Sequence, residues 1–465
     1  MRTAPEITLA LRLSGDGPLP AQLAYELRRL ISDGVLAPGD ALPSSRALAA
    51  HLGVSRGSVV AGYDQLLAEG YLAASTGRAT IVNPALRQLR PRRDPVVPAA
   101  SAVAEPTLNL RPGRPWAADV TGAAWRAAWR QASLASVDLP VPALGLPTLR
   151  TAWADHLRRM RGVLRGPSQI AVTGGGREGL ALLLLALGGT RPLTVGVEEP
   201  GYPSLRRVPA RFGATVLPLA ADRHGLDVAA LPTGKAAPDL LLVTPSHQYP
   251  LGGTLPVDRR QALLEWARQH RVVVVEDDYD SELRYTSQPL PALAALDDPA
   301  DERVVLLGTL SKTLTPALAT GFLALPGWLV PAVSAVRAEL GSPVGLVPQL
   351  ALATYLDSGA LRLHTQRVRN RYRRRRAQVV AALAAVEGIR VYPMDGGLHA
   401  VVETVRPETE VVATLTAAGV QVSPLSQYWS GGGTRSGIVF GFGAVAEDEL
   451  ARGLKLIAAA AAAQH

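Results

Sequence analysis

Cysteine is absent from the 465 residues, so disulfides and thiolate metal sites are excluded, as a reducing compartment would allow. Lysine is almost absent: only Lys235, Lys312 and Lys455 occur, so basic character rests on arginine and each amine can be weighed by itself. No apolar run is long enough to span a bilayer, the most apolar stretch being "LALLLLALGG" at Leu180–Gly189. The N-terminal "MRTAPEITLALRLSGDG" lacks a basic segment followed by a long apolar run and a cleavage site. These absences lead us to expect a soluble, cytoplasmic chain.

Hydrophobic residues make up 48% and charged residues 19%, enough for a large core and against global disorder. The length calls for two or three domains. A formal charge of +9 hints at nucleic acid, yet residues 1–83 hold seven arginines and seven acidic residues. Any DNA contact there must come from pattern rather than bulk charge.

The pattern is present. Leu23, Leu27, Leu30 and Ile31 lie on one face of a helix expected from Pro20 to Asp33, which Gly34 ends. Ser44 or Ser45 can cap a second helix bearing Leu48 and Leu52. Gly53 supplies a tight turn, and Ser55 caps a third helix with Val59, Tyr63, Leu66 and Leu67 inward. "GYLAASTGRATIV" then reads as two short strands around Gly77-Arg78. The alternative is a plain three-helix packing module. Residue by residue, however, "LPSSRALAAHLGVSRGSVVAGYDQLLAEGYL" resembles the winged helix–turn–helix of the GntR regulators. That resemblance implies that Arg46, Ser55, Arg56 and Ser58 contact duplex DNA and that Arg78 reaches from the wing. Gly57 departs from it, since glycine weakens the first turn of the recognition helix.

Residues 84–107 are rich in proline, alanine and arginine without periodicity, a semi-rigid linker. Its arginines (Arg87, Arg90, Arg92, Arg93) are either solvated or trail along phosphates. From residue 108 to 465 apolar runs such as "DLLLVTPSHQYP", "RVVVVEDDYD" and "ERVVLLGTLSK" alternate with amphipathic stretches. That is the signature of an α/β fold with a mostly parallel sheet, whose ligands sit beyond the carboxyl ends of the strands.

Those strand ends carry the chemistry. Lys312 is the only lysine at one. "TGGGREGLALLLLAL" turns from a strand into a helix whose N-terminus suits a phosphate. "VVVVEDDYDSE" presents Asp277 and Tyr279. A lysine, a carboxylate, a phenol and an anion cradle together suggest pyridoxal 5'-phosphate (PLP). A metal is the alternative for the carboxylates, disfavoured without cysteine or a neighbouring histidine pair.

The segment from about 108 onward is similar to fold-type I aminotransferases, with a smaller α+β part from about 330 to 465. Its pairing with a GntR module resembles the MocR regulators, a family with GabR and PdxR types. "GLPTLRTAWADHLRRMRGV", "TPSHQYPLGGTLP", "EDDYDSELRY" and "LSKTLTPAL" carry the likeness. It implies that Lys312 attaches the cofactor, Asp277 pairs with the ring nitrogen and Tyr279 bonds the phenolic oxygen. It further implies that Tyr202 stacks on the ring, and that His247 and Gln248 line the pocket. Gly175, Gly176, Arg177, Thr309 and Ser311 would hold the phosphate.

Departures at the phosphate and at the substrate side bear on function. Ala319 stands seven residues after the lysine, where the family has a phosphate-gripping arginine. Losing such a charge-assisted pair costs about 2–3 kcal/mol, roughly 30- to 150-fold in affinity. Arg177, in place of the usual glutamine, is expected to supply part of that charge. The last strand, "SGIVFGFG", has Val439 where amino-acid-handling relatives carry an arginine for the substrate carboxylate. Arg206, Arg207 and Arg435 are the nearby alternatives. Tyr249 replaces the asparagine of the transaminase motif. Together these argue against efficient transamination and leave room for an effector other than an α-amino acid, PLP included. The run "RVRNRYRRRRAQVV" is either a solvated helix face or a second DNA contact.

The leading reading is therefore a DNA-binding transcriptional regulator whose aminotransferase-like domain binds PLP, alone or with a small amine or amino acid. The family resemblance implies a homodimer with swapped domains. An active aminotransferase and a regulator that has lost PLP are the alternatives.

Overall fold

Leucines spaced three and four apart leave the first helices no choice but to face one another. In the computed structural model these are α1 (Leu19–Ser32), α2 (Ser45–Leu52) and α3 (Arg56–Ala68). The structure describes residues 11, 13, 17–73, 79–86, 108–136, 138, 140–189, 191–285, 291–431, 433 and 435–462. It divides into two units, Met1–Glu105 and Pro106–His465.

In the first unit Leu23, Leu27, Leu48, Val59, Tyr63 and Leu66 form one buried core. Gly62 is required where α1 crosses α3, because a Cβ there would sit 3.0 Å from a Leu23 methyl and 3.2 Å from Pro20 O. Ser44 Oγ accepts from Ala47 N and Ser55 Oγ from Ser58 N, capping α2 and α3. The turn between them runs through Gly53 at φ +67°. Strands β1 (Leu72–Ala73) and β2 (Ile81–Val82) pair antiparallel, Leu72 opposite Val82. The unit is a winged helix–turn–helix. Arg78 and the linker arginines lie outside the described residues.

The second unit opens with β3 (Leu108–Asn109) and continues into an eight-stranded sheet. Its strands are β4 (Ile170–Thr173), β5 (Thr194–Glu199), β6 (Thr215–Asp222), β7 (Gly225–Leu226), β8 (Leu240–Val243), β9 (Val273–Asp278), β10 (Val304–Thr309) and β11 (Gly321–Ala324). Their spatial order is β4-β11-β10-β9-β8-β5-β6-β7. Neighbours from β10 through β6 run parallel, while β11 and β7 are antiparallel to theirs. The central strands are valine- and leucine-rich and buried along nearly their whole length, as both-face coverage by helices demands. The parallel register brings the ends of β5, β8, β9 and β10 to one edge, with Leu307 beside Asp277 and Gly308 beside Asp278.

A smaller antiparallel sheet follows: β12 (Ile389–Val391), β13 (His399–Thr404), β15 (Ser423–Pro424) and β16 (Gly437–Gly441). The two-residue strand β14 (Val420–Gln421) instead pairs with β3. Leu108 and Leu110 are thus buried in the same core as Val402, Ile438 and Phe440. The smaller part of the unit is therefore built from both ends of it, not from residues beyond 330 alone.

The arginine run lies in the helix Ala360–Leu383. Arg375 is buried and donates to Phe442 O at 3.0 Å and Gly443 O at 2.6 Å, and Arg371 bridges Asp119 at 2.9 Å. Trp116 lies against both guanidinium groups, 4.5 and 4.9 Å from its ring centroid. Arg367, Arg373 and Arg374 form an exposed face, so the run combines a structural half with a solvated half. Among the described residues no helix is long and apolar enough to cross a membrane.

Candidate cofactor and DNA-contact sites

The end of β10 turns sharply at Thr309–Ser311, where Thr309 Oγ1 and Ser311 Oγ lie 2.9 Å apart. The turn delivers Lys312 to the edge of the sheet, where Nζ donates to Gly113 O at 2.8 Å and stands 5.9 Å from the Tyr202 ring centroid. Gly113 is at φ +91°, and a Cβ on it would come 2.8 Å from Nζ. Burial lowers the Lys312 pKa from the usual lysine value, against the pull of Asp280 and Asp277, and Arg177 lowers it further. A neutral fraction of amine is what attack on an aldehyde needs.

Asp277, the last residue but one of β9, stands across from it and is buried. Burial pushes its carboxyl up to about 8, helped by Asp278, Asp280 and Glu198 and opposed by Lys312. Among the described residues no donor reaches that carboxyl. A buried carboxyl without a partner fits a ring nitrogen that shares a proton with it. Glu198, on β5, is also pushed up to about 7 by burial, although Thr244 N donates to it at 3.1 Å.

These raised values have a consequence for stability. The native state holds the Asp277 proton more tightly than the unfolded chain does. Its contribution is therefore full below the ordinary carboxylate range and is lost as pH rises through about 8. Glu198 and Glu276, each pushed up to about 7, act in the same direction. The Tm of the cofactor-free protein is expected to fall between about pH 6 and about pH 9, and less steeply in Asp277→Asn. A Tm that rises over that interval would contradict the assignment.

Tyr279 donates to His247 O at 2.9 Å, and its ring stacks 6.0 Å from the His247 ring. His247 and Tyr279 are thus brought together with Asp277 and Lys312. Gln248 is fully buried, its amide engaged with Pro200 O at 2.7 Å, Tyr249 O at 2.9 Å and Leu251 N at 3.2 Å. It braces the loop. Gly175, at φ +93°, caps the helix Gly176–Gly188, whose first amides have no partner within the helix. Glu178 in its first turn is held by Arg337 at 2.6 Å. Gly321 packs between this turn and β10, because a Cβ on it would lie 3.2 Å from Gly175 Cα and 2.4 Å from Gly308 O. The glycine turn and the Thr309–Ser311 turn are therefore neighbours. Arg177 is exposed beside them, and so is Ala319, whose φ of +44° is unusual for alanine.

Of the three arginines expected to meet an effector, Arg206 is buried and donates to Tyr428 O at 2.6 Å, binding the Tyr202 segment to the smaller sheet. Arg207 is exposed, and Arg435 donates to Tyr392 Oη at 2.7 Å. Val439 is fully buried with Tyr249, Tyr428 and Leu425. Among the described residues no group of three His, Asp or Glu can hold a metal. The sequence reading missed Gly113, Glu198 and Asp280. A lone glycine between prolines in "RPGRP" was the one available sign of the first.

In the first unit Arg46, Ser55 and Arg56 are exposed at the starts of α2 and α3. Arg56 Nε lies 3.4 Å from Ser45 Oγ, and Ser55 Oγ lies 2.8 Å from Ser58 Oγ. A Cβ on Gly57 would meet only Ser55 Oγ, at 3.8 Å, so glycine there leaves the helix start bare.

Residues 19–82 match the model of the bacterial regulatory proteins of the gntR family, and residues 117–436 that of aminotransferase class I and II. The chain is 48% identical over 445 residues to the HTH-type pyridoxine biosynthesis transcriptional regulator PdxR of Corynebacterium glutamicum, covering 96% of each chain. It is 31% identical over 475 residues to the probable rhizopine catabolism regulatory protein MocR of Rhizobium meliloti, covering 97% of this chain and 95% of the relative. Among solved structures, Pyrococcus horikoshii kynurenine aminotransferase superposes with a TM-score of 0.68 at 23% identity, over 77% of this chain and 91% of that one. That likeness establishes the fold, the one on which PLP-dependent aminotransferases are built. The chain belongs to the MocR-type transcriptional regulators, in which a GntR winged helix–turn–helix is joined to an aminotransferase class I and II domain.

Proposed function

We propose that this regulator holds PLP at Lys312 and that PLP itself is the ligand to which it responds. The observation that carries the reading is the buried Asp277 carboxyl, which has no hydrogen-bond donor among the described residues, at the same sheet edge as the Lys312 amine. When bound, PLP would supply an aldehyde and an electron-withdrawing ring. Lys312 offers the amine, and Asp277 keeps a proton at the ring nitrogen. The Tyr279 hydroxyl donates to the phenolic oxygen, and Tyr202 covers one ring face. The amides of Gly175 and Gly176, the hydroxyls of Thr309 and Ser311 and the Arg177 guanidinium take the phosphate. Arg177 stands in for the cation that Ala319 does not provide.

PLP as effector is supported by the name of the 48%-identical relative, a regulator of pyridoxine biosynthesis, and by the lightened phosphate grip. A sensor works when its ligand can leave, and a ligand shifts only the equilibrium whose states it binds unequally. The apolar packing of Val439 with Tyr249 and Tyr428 disfavours a bound amino-acid carboxylate, and with it an active aminotransferase. Arg46, Ser55, Arg56, Ser58 and Arg78 contact the operator, and the working form is a homodimer with exchanged DNA modules.

The test is a PLP titration of the purified protein, followed by borohydride reduction and peptide mass mapping. With three lysines in the chain the outcome is unambiguous. A visible band, a reduced adduct on Lys312, and a PLP-dependent change in affinity for a genomic duplex selected by the protein are expected. No adduct, or an adduct on Lys235 or Lys455, would overturn the assignment, and DNA affinity indifferent to PLP would overturn the effector.

A further inference from the structure

The loop after β9 holds a second carboxylate that the reading above leaves without a role. Asp280 is 3% exposed and sets Oδ2 2.8 Å from His247 Nδ1. The same ring nitrogen lies 2.9 Å from Tyr279 Oη, which lies 2.9 Å from His247 O. A carboxylate has acceptors only, so the proton in the Asp280 contact belongs to Nδ1. An Nδ1 that carries a proton cannot accept from the Tyr279 hydroxyl. Within this cluster the hydroxyl proton is then shared between the His247 carbonyl and the Asp280 carboxylate, and Nδ1 does not compete for it. The arrangement is tightly packed: a Cβ on Gly397 would lie 2.7 Å from both Asp280 Oδ2 and His247 Cε1. Around it stand Asp277 from β9, Lys312 from the β10 turn, Tyr249 from the β8 loop and His399 from β13, whose ring burial drives down to about 4.

We propose that Asp280 is a positioning residue: it locks His247 in the Nδ1–H tautomer and so keeps the Tyr279 hydroxyl proton off that ring nitrogen, leaving it to be donated to the phenolic oxygen of PLP. The proposal rests on reading the site as a PLP pocket. Tyr249 makes Tyr279 count for more, because a phenol already packed against Tyr428, with ring centroids 5.6 Å apart, replaces the usual asparagine donor.

The first test needs neither cofactor nor variant at position 280. Nitrogen-15 NMR of histidine-labelled, PLP-free protein, with the signal assigned through His247→Asn, should find His247 protonated at Nδ1; an Nε2–H tautomer overturns the proposal. The second test titrates the visible band of the PLP-loaded protein against pH. A hydroxyl donor stabilises the phenolic oxygen without its proton, so losing that donor raises the midpoint. Asp280→Asn should raise it by about one pH unit, as Tyr279→Phe should, and should raise it no further in the Tyr279→Phe background. Asp280→Glu should restore most of the original midpoint. A purely electrostatic Asp280 predicts a lower midpoint, and a purely structural one an unchanged midpoint with lower Tm. Either result overturns the proposal. A protein that shows no band at all refutes the PLP reading instead, and the NMR result still decides the tautomer.

Discussion

Replacing Lys312 with alanine is expected to abolish the visible band of the PLP-treated protein and to weaken PLP retention by about 100-fold or more. Thermal unfolding of the cofactor-free protein should hardly change. The asymmetry follows from what the side chain does. Its amine makes one hydrogen bond, to Gly113 O, and burial already disfavours its charge. Removing it therefore deletes little native stabilisation, while the point of attachment disappears outright. Equilibrium dialysis and a Tm measurement on the same preparation check both halves. A variant that retains PLP as tightly as the parent would show that the phosphate and ring contacts alone hold it.

Arg161→Met should have the opposite profile, a large loss of stability with the attachment lysine intact. Arg161 is buried, its Nε 2.8 Å from Asp278 Oδ2 and its Nη2 3.0 Å from Ser246 Oγ, with Glu276 Oε1 at 3.8 Å. Methionine would fill much of the space and leave two buried acids beside Asp277 without their cation. Breaking such a group costs about 3–5 kcal/mol, on the order of 10 °C in Tm for a unit of this size. Arg161→Lys should recover only part, since one ammonium cannot serve the fork-shaped contacts. Adding Asp278→Asn to Arg161→Met should restore several degrees by removing one orphaned charge. An unchanged Tm in Arg161→Met would mean that the cluster is not what anchors the end of β9.

The contrast between these variants marks what the sequence could disclose. Local patterns were legible: the leucine faces of α1–α3, the serine caps of α2 and α3, and the valine run Val272–Val275 that leads to Asp277. The lysine at the end of β10 was legible because lysine is so scarce. What stayed hidden were partnerships across distance. Arg161 meets Asp278 117 positions away, and Asp280 meets His247 33 positions away. Nothing in either neighbourhood announces the other: the first meeting is made where the helix Pro147–Arg161 ends against β9, the second where the parallel sheet brings the ends of β8 and β9 together. Strand β3 was hidden for another reason, since two residues are too few to show alternation. The arginine-rich helix misled through uniformity: the seven arginines from Arg367 to Arg376 read alike, yet Arg375 is a buried clamp on three carbonyls while Arg373 and Arg374 face solvent.

The short passage from β3 to Lys312 carries a last implication. Between Asn109, paired in parallel register with Gln421, and Gly113, whose carbonyl receives the lysine amine, lie only Leu110, Arg111 and Pro112. Leu110 is pinned to Gln421 and Gly441 through its own N–H and C=O, and the proline allows little slack. An amine engaged elsewhere gives up its bond to Gly113, while Leu110 keeps both of its own, so the release is confined to Arg111, Pro112 and Gly113. What the lysine lets go of is therefore a short segment that ends at a left-handed glycine, next to the pinned strand with which the second unit opens.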